Sequence, residues 1–194
     1  MTTSTTQATE PGRSQGALPV GAFLIGAAVS VALGVYASVH DPSERTPISL
    51  IFTGGVQMKV WVTTLAVLLA IVQLLSAMRM YGRISFPKEA PTWLGDLHRL
   101  SGTLAFLFTL PVAYTCLWAF GWNGGEGDAR TLMHSLFGCL FYGAFAAKIL
   151  VLRRSTDAPK WVIPVLGSTV FTLLIALFAT SAVWFWTDSG FPSF

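Results

Sequence analysis

Residues 98–104 read HRLSGTL and residues 134–140 read HSLFGCL, so the pattern His-x-Leu-x-Gly-x-Leu occurs twice in the chain. The first copy leads into the apolar run 100–120, and the second lies near the start of the run 131–152. An apolar run of about 20 residues is long enough to cross a bilayer as a helix. Each copy therefore predicts a membrane-spanning helix with a histidine near one end and a glycine on the same helical face, four residues away.

Apolar residues dominate the rest of the chain as well. Three further runs have the length of a membrane span, at 18–39, 60–78 and 161–186. Hydrophobic residues make up 53% of the sequence and charged residues 11%, whereas about a quarter of the residues of a typical soluble domain are charged. The sequence therefore predicts an all-α integral membrane bundle of five transmembrane helices, in which residues 18–187 form one membrane domain.

Two short tails flank the membrane domain. Residues 1–17 lack the basic start and apolar run of a signal peptide, so we expect a disordered cytoplasmic tail there. Residues 188–194 follow the last apolar run, and we expect a short outer tail there.

The basic residues predict the orientation of the bundle. Basic residues that fall on the side of the N-terminus are Arg13, Arg79, Arg83, Lys88, Arg99, Arg153, Arg154 and Lys160. The other side holds Arg45, Lys59 and Arg130. The positive-inside rule then puts the N-terminus in the cytoplasm and the C-terminus outside.

Small residues in the first span predict where a neighbouring helix packs. Gly26, Ser30 and Gly34 are spaced four residues apart, so they form a stripe along one helical face. Such stripes let two helix backbones approach closely within a membrane. We therefore expect this stripe to be a helix-packing surface.

The depths of the three histidines decide which of them can share a ligand. Spans three and four are antiparallel, so His98 falls in the inner half of the membrane and His134 in the outer half. His40 ends span one on the same side as His134. Two imidazoles can fill both axial positions of an electron-transfer haem. The sequence therefore predicts a b-type haem whose iron is held by His40 and His134, although histidines at helix ends also cap and pack helices.

A second candidate site lies at the inner side. Lys148 is fourteen residues beyond His134, which places it about 21 Å deeper at 1.5 Å per residue, near the depth of His98. A lysine within a span is costly and often functional, so Lys148 is a candidate contact for a haem propionate, a quinone oxygen or a lipid phosphate; the alternative is snorkelling to the interface. Gly102 and Gly138 are the candidate points of close approach for a flat ligand.

Other kinds of chemistry find little support. The sequence has no Walker loop, nucleophile elbow or paired-carboxylate pattern, so any enzymatic role would be as part of an oxidoreductase. A transporter would show polar residues or broken helices near the midplane, where Gln73 and Pro111 are the main candidates. A transporter is thus the third hypothesis, after a haem protein and a non-catalytic membrane anchor.

The two histidine patterns resemble the helical bundles of membrane b-type cytochromes of the cytochrome b561 and ferric-reductase kind. This resemblance implies haem b bound by histidines within spans. Where those families place a second histidine on each helix, this chain has Val112 and Lys148. The run 134–150, HSLFGCLFYGAFAAKIL, together with PVAY at 111–114, more closely resembles uncharacterised multi-span membrane proteins of actinobacteria, which implies a protein of the bacterial inner membrane.

Two functions follow as the main expectations. The first is a b-type haem protein or redox-complex subunit that transfers electrons alongside a quinone or a redox partner. His40 and His134 would be its iron ligands, and His98 and Lys148 would form an inner haem or quinone site. The second is an anchor or accessory subunit of a larger membrane complex, in which the histidines pack helices and the stripe containing Gly26 binds a partner.

Overall fold

The computed structural model describes residues 17–43, 45–46, 48–86, 89–122, 127–154, 156 and 158–191. Every element of regular secondary structure within these residues is a helix. The tail predicted for the N-terminus lies outside the described residues up to position 16.

In the described part of the chain, six α-helices and two π-helical turns build the bundle. The α-helices are α1 Ala17–Val39, α2 Gly55–Met80, α3 Leu94–Thr115, α4 Ala129–Leu152, α5 Val162–Phe178 and α6 Trp184–Ser189. A π-helical turn, Cys116–Phe120, extends α3, and a second, Ala179–Val183, joins α5 to α6. Among the described residues, five continuous helical segments are long and apolar enough to cross a membrane, because α5, its π-helical turn and α6 form one segment. The predicted fold class is thus confirmed.

The small-residue stripe of α1 packs against α4. A Cβ atom added at Gly26 would lie 2.6 Å from the carbonyl oxygen of Gly143, and one added at Gly143 would overlap the Ser30 hydroxyl. The Ser30 hydroxyl also donates a hydrogen bond of 3.0 Å to the Cys139 carbonyl. The prediction of a helix-packing stripe is confirmed. Its assignment to a separate partner in the anchor hypothesis was wrong, because α4 of the same chain already covers it.

The remaining helices pack around a small apolar core. Helix α2 packs mainly on α3, and α4 packs on both α1 and α5. The core combines residues of α2, α3, α4 and α5, namely Val67, Ala70, Ala105, Phe141 and Leu174. Many apolar side chains on the outer faces of the helices stay exposed, as expected of surfaces that contact lipid.

Two backbone hydrogen bonds join α1 to the end of the α3 segment. The Trp118 carbonyl accepts from the Ser43 N–H at 3.1 Å, and the Ala37 carbonyl accepts from the Trp122 N–H at 3.0 Å. Carbonyls in the last turn of a helix lack intrahelical partners, and here the two chain segments satisfy one another. We call this end of the bundle, where α1 and α3 finish and α2 and α4 begin, the α1–α2 end; the sequence predicts it to be the outer one.

Gly121 completes this junction. Its φ angle is +64°, in the left-handed region that favours glycine, and an added Cβ would lie 2.6 Å from Cγ of Pro42. Glycine therefore allows the chain to turn out of the helix directly beneath the α1–α2 connection.

Candidate functional site

A cavity of about 530 Å³ lies between α2, α3, α4 and α5, towards the α1–α2 end, and residues of α1 and α6 complete its wall. Its volume is within the range of small-molecule and cofactor sites. Apolar and small side chains form most of its wall, and three basic residues join them: Lys59, Arg130 and His134. The cavity is thus suited to a ligand with an apolar body and polar or acidic groups.

Both π-helical turns border the cavity. The first contributes Leu117 and Phe120, and the second contributes Ser181. An inserted π turn shifts the side chains that follow it around the helix axis, and such turns are frequent at functional sites. These two irregularities therefore shape the cavity wall from opposite helices.

His134 is held in the wall by a contact from α4 to the second π-helical turn. Its Nδ1 lies 2.9 Å from Oγ1 of Thr180, whose hydroxyl donates at 2.7 Å to the Ala176 carbonyl. A hydroxyl has one proton, so once that proton is given to Ala176 the Thr180 oxygen accepts the proton on His134 Nδ1. The Nε2 atom then keeps its lone pair, and no described residue hydrogen-bonds to it.

Gly138 lies one turn beyond His134 in the same wall. The nearest atom to a Cβ added there would be a Leu177 methyl carbon at 3.9 Å, an ordinary contact distance. Position 138 therefore presents bare backbone to the cavity, and its predicted role in close approach of a ligand stays a prediction.

The other histidine pattern has different surroundings. His98 Nδ1 lies 3.0 Å from both the Gln73 carbonyl and the Ser76 hydroxyl of α2. Because a carbonyl can only accept, the imidazole donates its Nδ1 proton here. The Gln73 amide lies directly over Gly102, so that an added Cβ would overlap it. In this pattern, then, the histidine and glycine serve the contact between α2 and α3.

His40 is close to the cavity but is absent from the residues that line it. Its ring stacks on Tyr36 with centroids 5.1 Å apart and packs against Trp118 at 4.6 Å. Its Nε2 atom donates a hydrogen bond of 3.3 Å to the Trp118 carbonyl. The structure therefore places His40 and His134 at the same end of the bundle without bringing both into the cavity wall.

Lys148 is half-buried on α4, away from the cavity and within electrostatic reach of His98. No hydrogen bond or ion pair involves its ammonium among the described residues. The role of Lys148 and His98 in an inner ligand site stays a prediction.

Arg130 is fixed in place by several partners. Its guanidinium donates to the Thr180 carbonyl at 2.9 Å, and its carbon Cζ lies 3.8 Å from the ring centroid of Trp184. Its Nε is 3.6 Å from Asp128, the residue that caps α4. The hydroxyl and the backbone N–H of Thr131 hold the pKa of the Asp128 carboxyl below its ordinary value. Arg130 is therefore a braced positive group at the cavity rim.

Sequence reasoning missed two residues of this site. In the sequence Lys59 contributes to the charge bias that predicts orientation, and its position directly before the apolar run 60–78 is the signal that it lies at the membrane interface. Thr180 carried no signal, because nothing in the sequence shows which hydroxyl will face His134.

Cys116 and Cys139 both line the cavity, and both are free thiols.

Within the described residues, no group of three or more His, Cys, Asp or Glu side chains is arranged to hold a metal ion. A haem iron needs fewer protein ligands, because the porphyrin supplies four ligands and the protein one or two axial ones. His134 can supply one axial ligand.

Residues 19–193 match DUF6529, a family of unknown function. The match covers most of the chain, so the protein belongs to this family. No curated protein and no solved structure matches the chain.

Proposed function

We propose that this member of the DUF6529 family binds a b-type haem in the cavity between α2 and α5 and takes part in electron transfer at a membrane. The observation that carries the proposal is the state of His134. Thr180 fixes its Nδ1 atom, and Nε2 is left with a lone pair in a side chain that lines the cavity. Metal-bound histidines are held in this way, with the other ring nitrogen donating a hydrogen bond to a neighbouring group.

The other wall residues fit the parts of a haem. Gly138 leaves room for a flat ring beside His134, and the mostly apolar wall suits the body of that ring. Lys59 and Arg130 provide positive charge for the acidic side groups of the ring. When bound, a haem supplies reversible one-electron oxidation and reduction of its iron.

His134 is the histidine that lines the cavity, so we assign it as the primary iron ligand. The pairing with His40 remains a prediction, and His40 would have to exchange its contact with Trp118 for the iron. A quinone is the second candidate ligand, and a redox partner in the bacterial inner membrane is the expected recipient of the electrons. With the predicted orientation, the cavity would lie in the outer half of that membrane.

A visible spectrum of the purified protein tests the proposal. The protein is produced with haem available and kept in detergent, and its dithionite-reduced spectrum is compared with its oxidised spectrum. We expect a b-type band and about one haem per chain. A folded protein that shows no haem band would contradict the proposal.

A non-catalytic membrane subunit is the alternative, and the surroundings of two histidines favour it. His40 bonds to Trp118 and His98 to Gln73, so both contribute to contacts between helices. If His134 has the same role, its replacement would change stability but no spectrum. The haem measurement separates the two functions.

A further inference from the structure

Lys59 is a cation in the cavity wall without an anionic partner in the described part of the chain. It lies in the first turns of α2, is half-buried and lines the cavity near the α1–α2 end. Its ammonium lies 5.6 Å from the ring centroid of Phe120, a weak cation–π contact. No described carboxylate is within ion-pair distance of it. A partly buried charge of this kind is costly unless it is paired.

Arg130 provides the contrast. It has hydrogen bonds to Thr180 and Thr131, an ion-pair contact with Asp128 and a stacked Trp184 ring. Its Nη1 and Nη2 atoms are held by Thr180 and Thr131, although its Nε has no hydrogen bond within the described residues. The ammonium of Lys59, by contrast, has no hydrogen bond to any described residue, so all three of its donors are available to a ligand.

The position of Lys59 fits a particular kind of ligand. From the rim near Lys59 the wall continues along Thr63 and Thr109 to Phe141 and Leu174, which belong to the apolar core of the bundle or adjoin it. A molecule that fills this space has its apolar body towards the core and its acidic end at the rim. Charge complementarity thus selects an amphiphile with one negatively charged end.

We propose that Lys59 recognises the carboxylate group of an amphiphile whose apolar body occupies the cavity. The inference deepens the proposed function and rests on it in placing the ligand in the same cavity. A haem carboxylate and a lipid acid share this chemistry. Lys59 sets the preference for the acid over the corresponding neutral ester.

Two pairs of probes separate these sources. The first pair is haem b and its dimethyl ester, titrated into detergent-solubilised apoprotein. The second is a photoreactive fatty acid and its methyl ester, cross-linked to the full chain in lipid nanodiscs and mapped by mass spectrometry. Labelling of cavity residues is divided by labelling of exposed α1 residues such as Leu24 and Val31, which corrects for partition into the bilayer.

Three variants accompany the wild type. Lys59→Met removes the charge and keeps the length of the side chain, whereas Lys59→Arg keeps the charge. Arg45→Met removes one positive charge from the α1–α2 end of the bundle, at an exposed position outside the cavity lining. We expect the wild type to prefer acid over ester by about tenfold, the size of one charge-assisted hydrogen bond. The preference should vanish in Lys59→Met and persist in the other two variants.

The outcomes distinguish the inference from the function it rests on. Acid preference that depends on Lys59 for the fatty acid, in a protein that binds no haem, supports the inference and contradicts the haem proposal. Haem binding with equal affinity for the acid and the ester, in wild type and Lys59→Met alike, keeps the haem proposal and overturns the inference. Absence of acid preference in both probe pairs also overturns it.

Discussion

His134 Nδ1 and Thr180 Oγ1 lie 2.9 Å apart, in a contact that joins α4 to the π-helical turn after α5. The contact fixes the imidazole ring and leaves its Nε2 atom unbonded in the described structure. What distinguishes His134 from His98, whose Nδ1 is also bonded, is that His134 lines the cavity. Substitutions that remove the contact between Thr180 and His134 therefore test the proposed haem site.

Replacing Thr180 by Val should weaken haem binding without unfolding the bundle. The substitution removes the oxygen that accepts the Nδ1 proton of His134 and keeps the volume of the side chain. Loss of such a second hydrogen bond lowers metal affinity by roughly ten- to a hundredfold. Haem titration of the apoprotein measures the effect, and Thr180→Ser should restore most of the affinity.

The matched control for that variant is Thr169→Val. Thr169 is an exposed residue of α5 in the same membrane-spanning segment, and its hydroxyl donates a hydrogen bond to the Val165 carbonyl of its own helix. We expect unchanged haem affinity. Equal loss of affinity in Thr169→Val and Thr180→Val would show that the effect is general and not due to His134.

Replacing Gly138 by Leu should obstruct the cavity. The site tolerates a Cβ, since the nearest atom would lie at 3.9 Å, so Gly138→Ala should be at least as stable as the wild type, because alanine favours the helix by about 0.5–1 kcal/mol over glycine. A leucine extends further into the space that we assign to the ring, and haem content per chain should fall severalfold. Full haem content in a folded Gly138→Leu protein would place the ligand elsewhere.

The sequence predicted the spans and the packing stripe correctly because both depend on local patterns. Apolar length alone marks a membrane span, and four-residue spacing alone places Gly26 and Ser30 on one face. The surroundings of the two histidine patterns depend on long-range contacts instead. Gln73 covers Gly102, while only Leu177 approaches Gly138, and nothing within the seven-residue pattern reports which helix crosses it.

The π-helical turns and the orientation of the His40 ring could not be predicted from local sequence patterns either. The π-helical turns at Cys116–Phe120 and Ala179–Val183 have no reliable sequence signal, and they shape the cavity. The depth of His40 was enough to propose it as a partner of His134. Depth does not determine the direction of a ring, however, and this ring packs between Tyr36 and Trp118.

Replacing His40 by Ala tests the paired-histidine prediction. If its contacts with Tyr36 and Trp118 are its whole role, haem content and the reduced spectrum stay as in the wild type. Loss of the stacking and the hydrogen bond should still lower stability by about 1 kcal/mol. A spectrum that changes from six-coordinate to five-coordinate iron in His40→Ala would show that His40 is an axial ligand after all.

Replacing Gly26 by Ala should destabilise the contact between α1 and α4. The added methyl would lie 2.6 Å from a backbone carbonyl oxygen of Gly143, which can move only if the helices separate. Overpacking of this kind costs about 1–3 kcal/mol, measurable as a lower thermal unfolding temperature in detergent. Gly21→Ala is the control on the same helix, because no atom lies within 4 Å of its added Cβ. Equal stability of the two variants would contradict the packing assigned to the stripe.

The most direct test of the central claim is the haem content per chain of His134→Ala and His98→Ala, purified in parallel with the wild type. The two histidines occupy the same place in the two copies of one pattern, but His134 lines the cavity and His98 bonds to α2. We predict that His134→Ala loses its haem while remaining folded, and that His98→Ala retains it. Full haem content in His134→Ala, or loss in His98→Ala alone, would contradict the account.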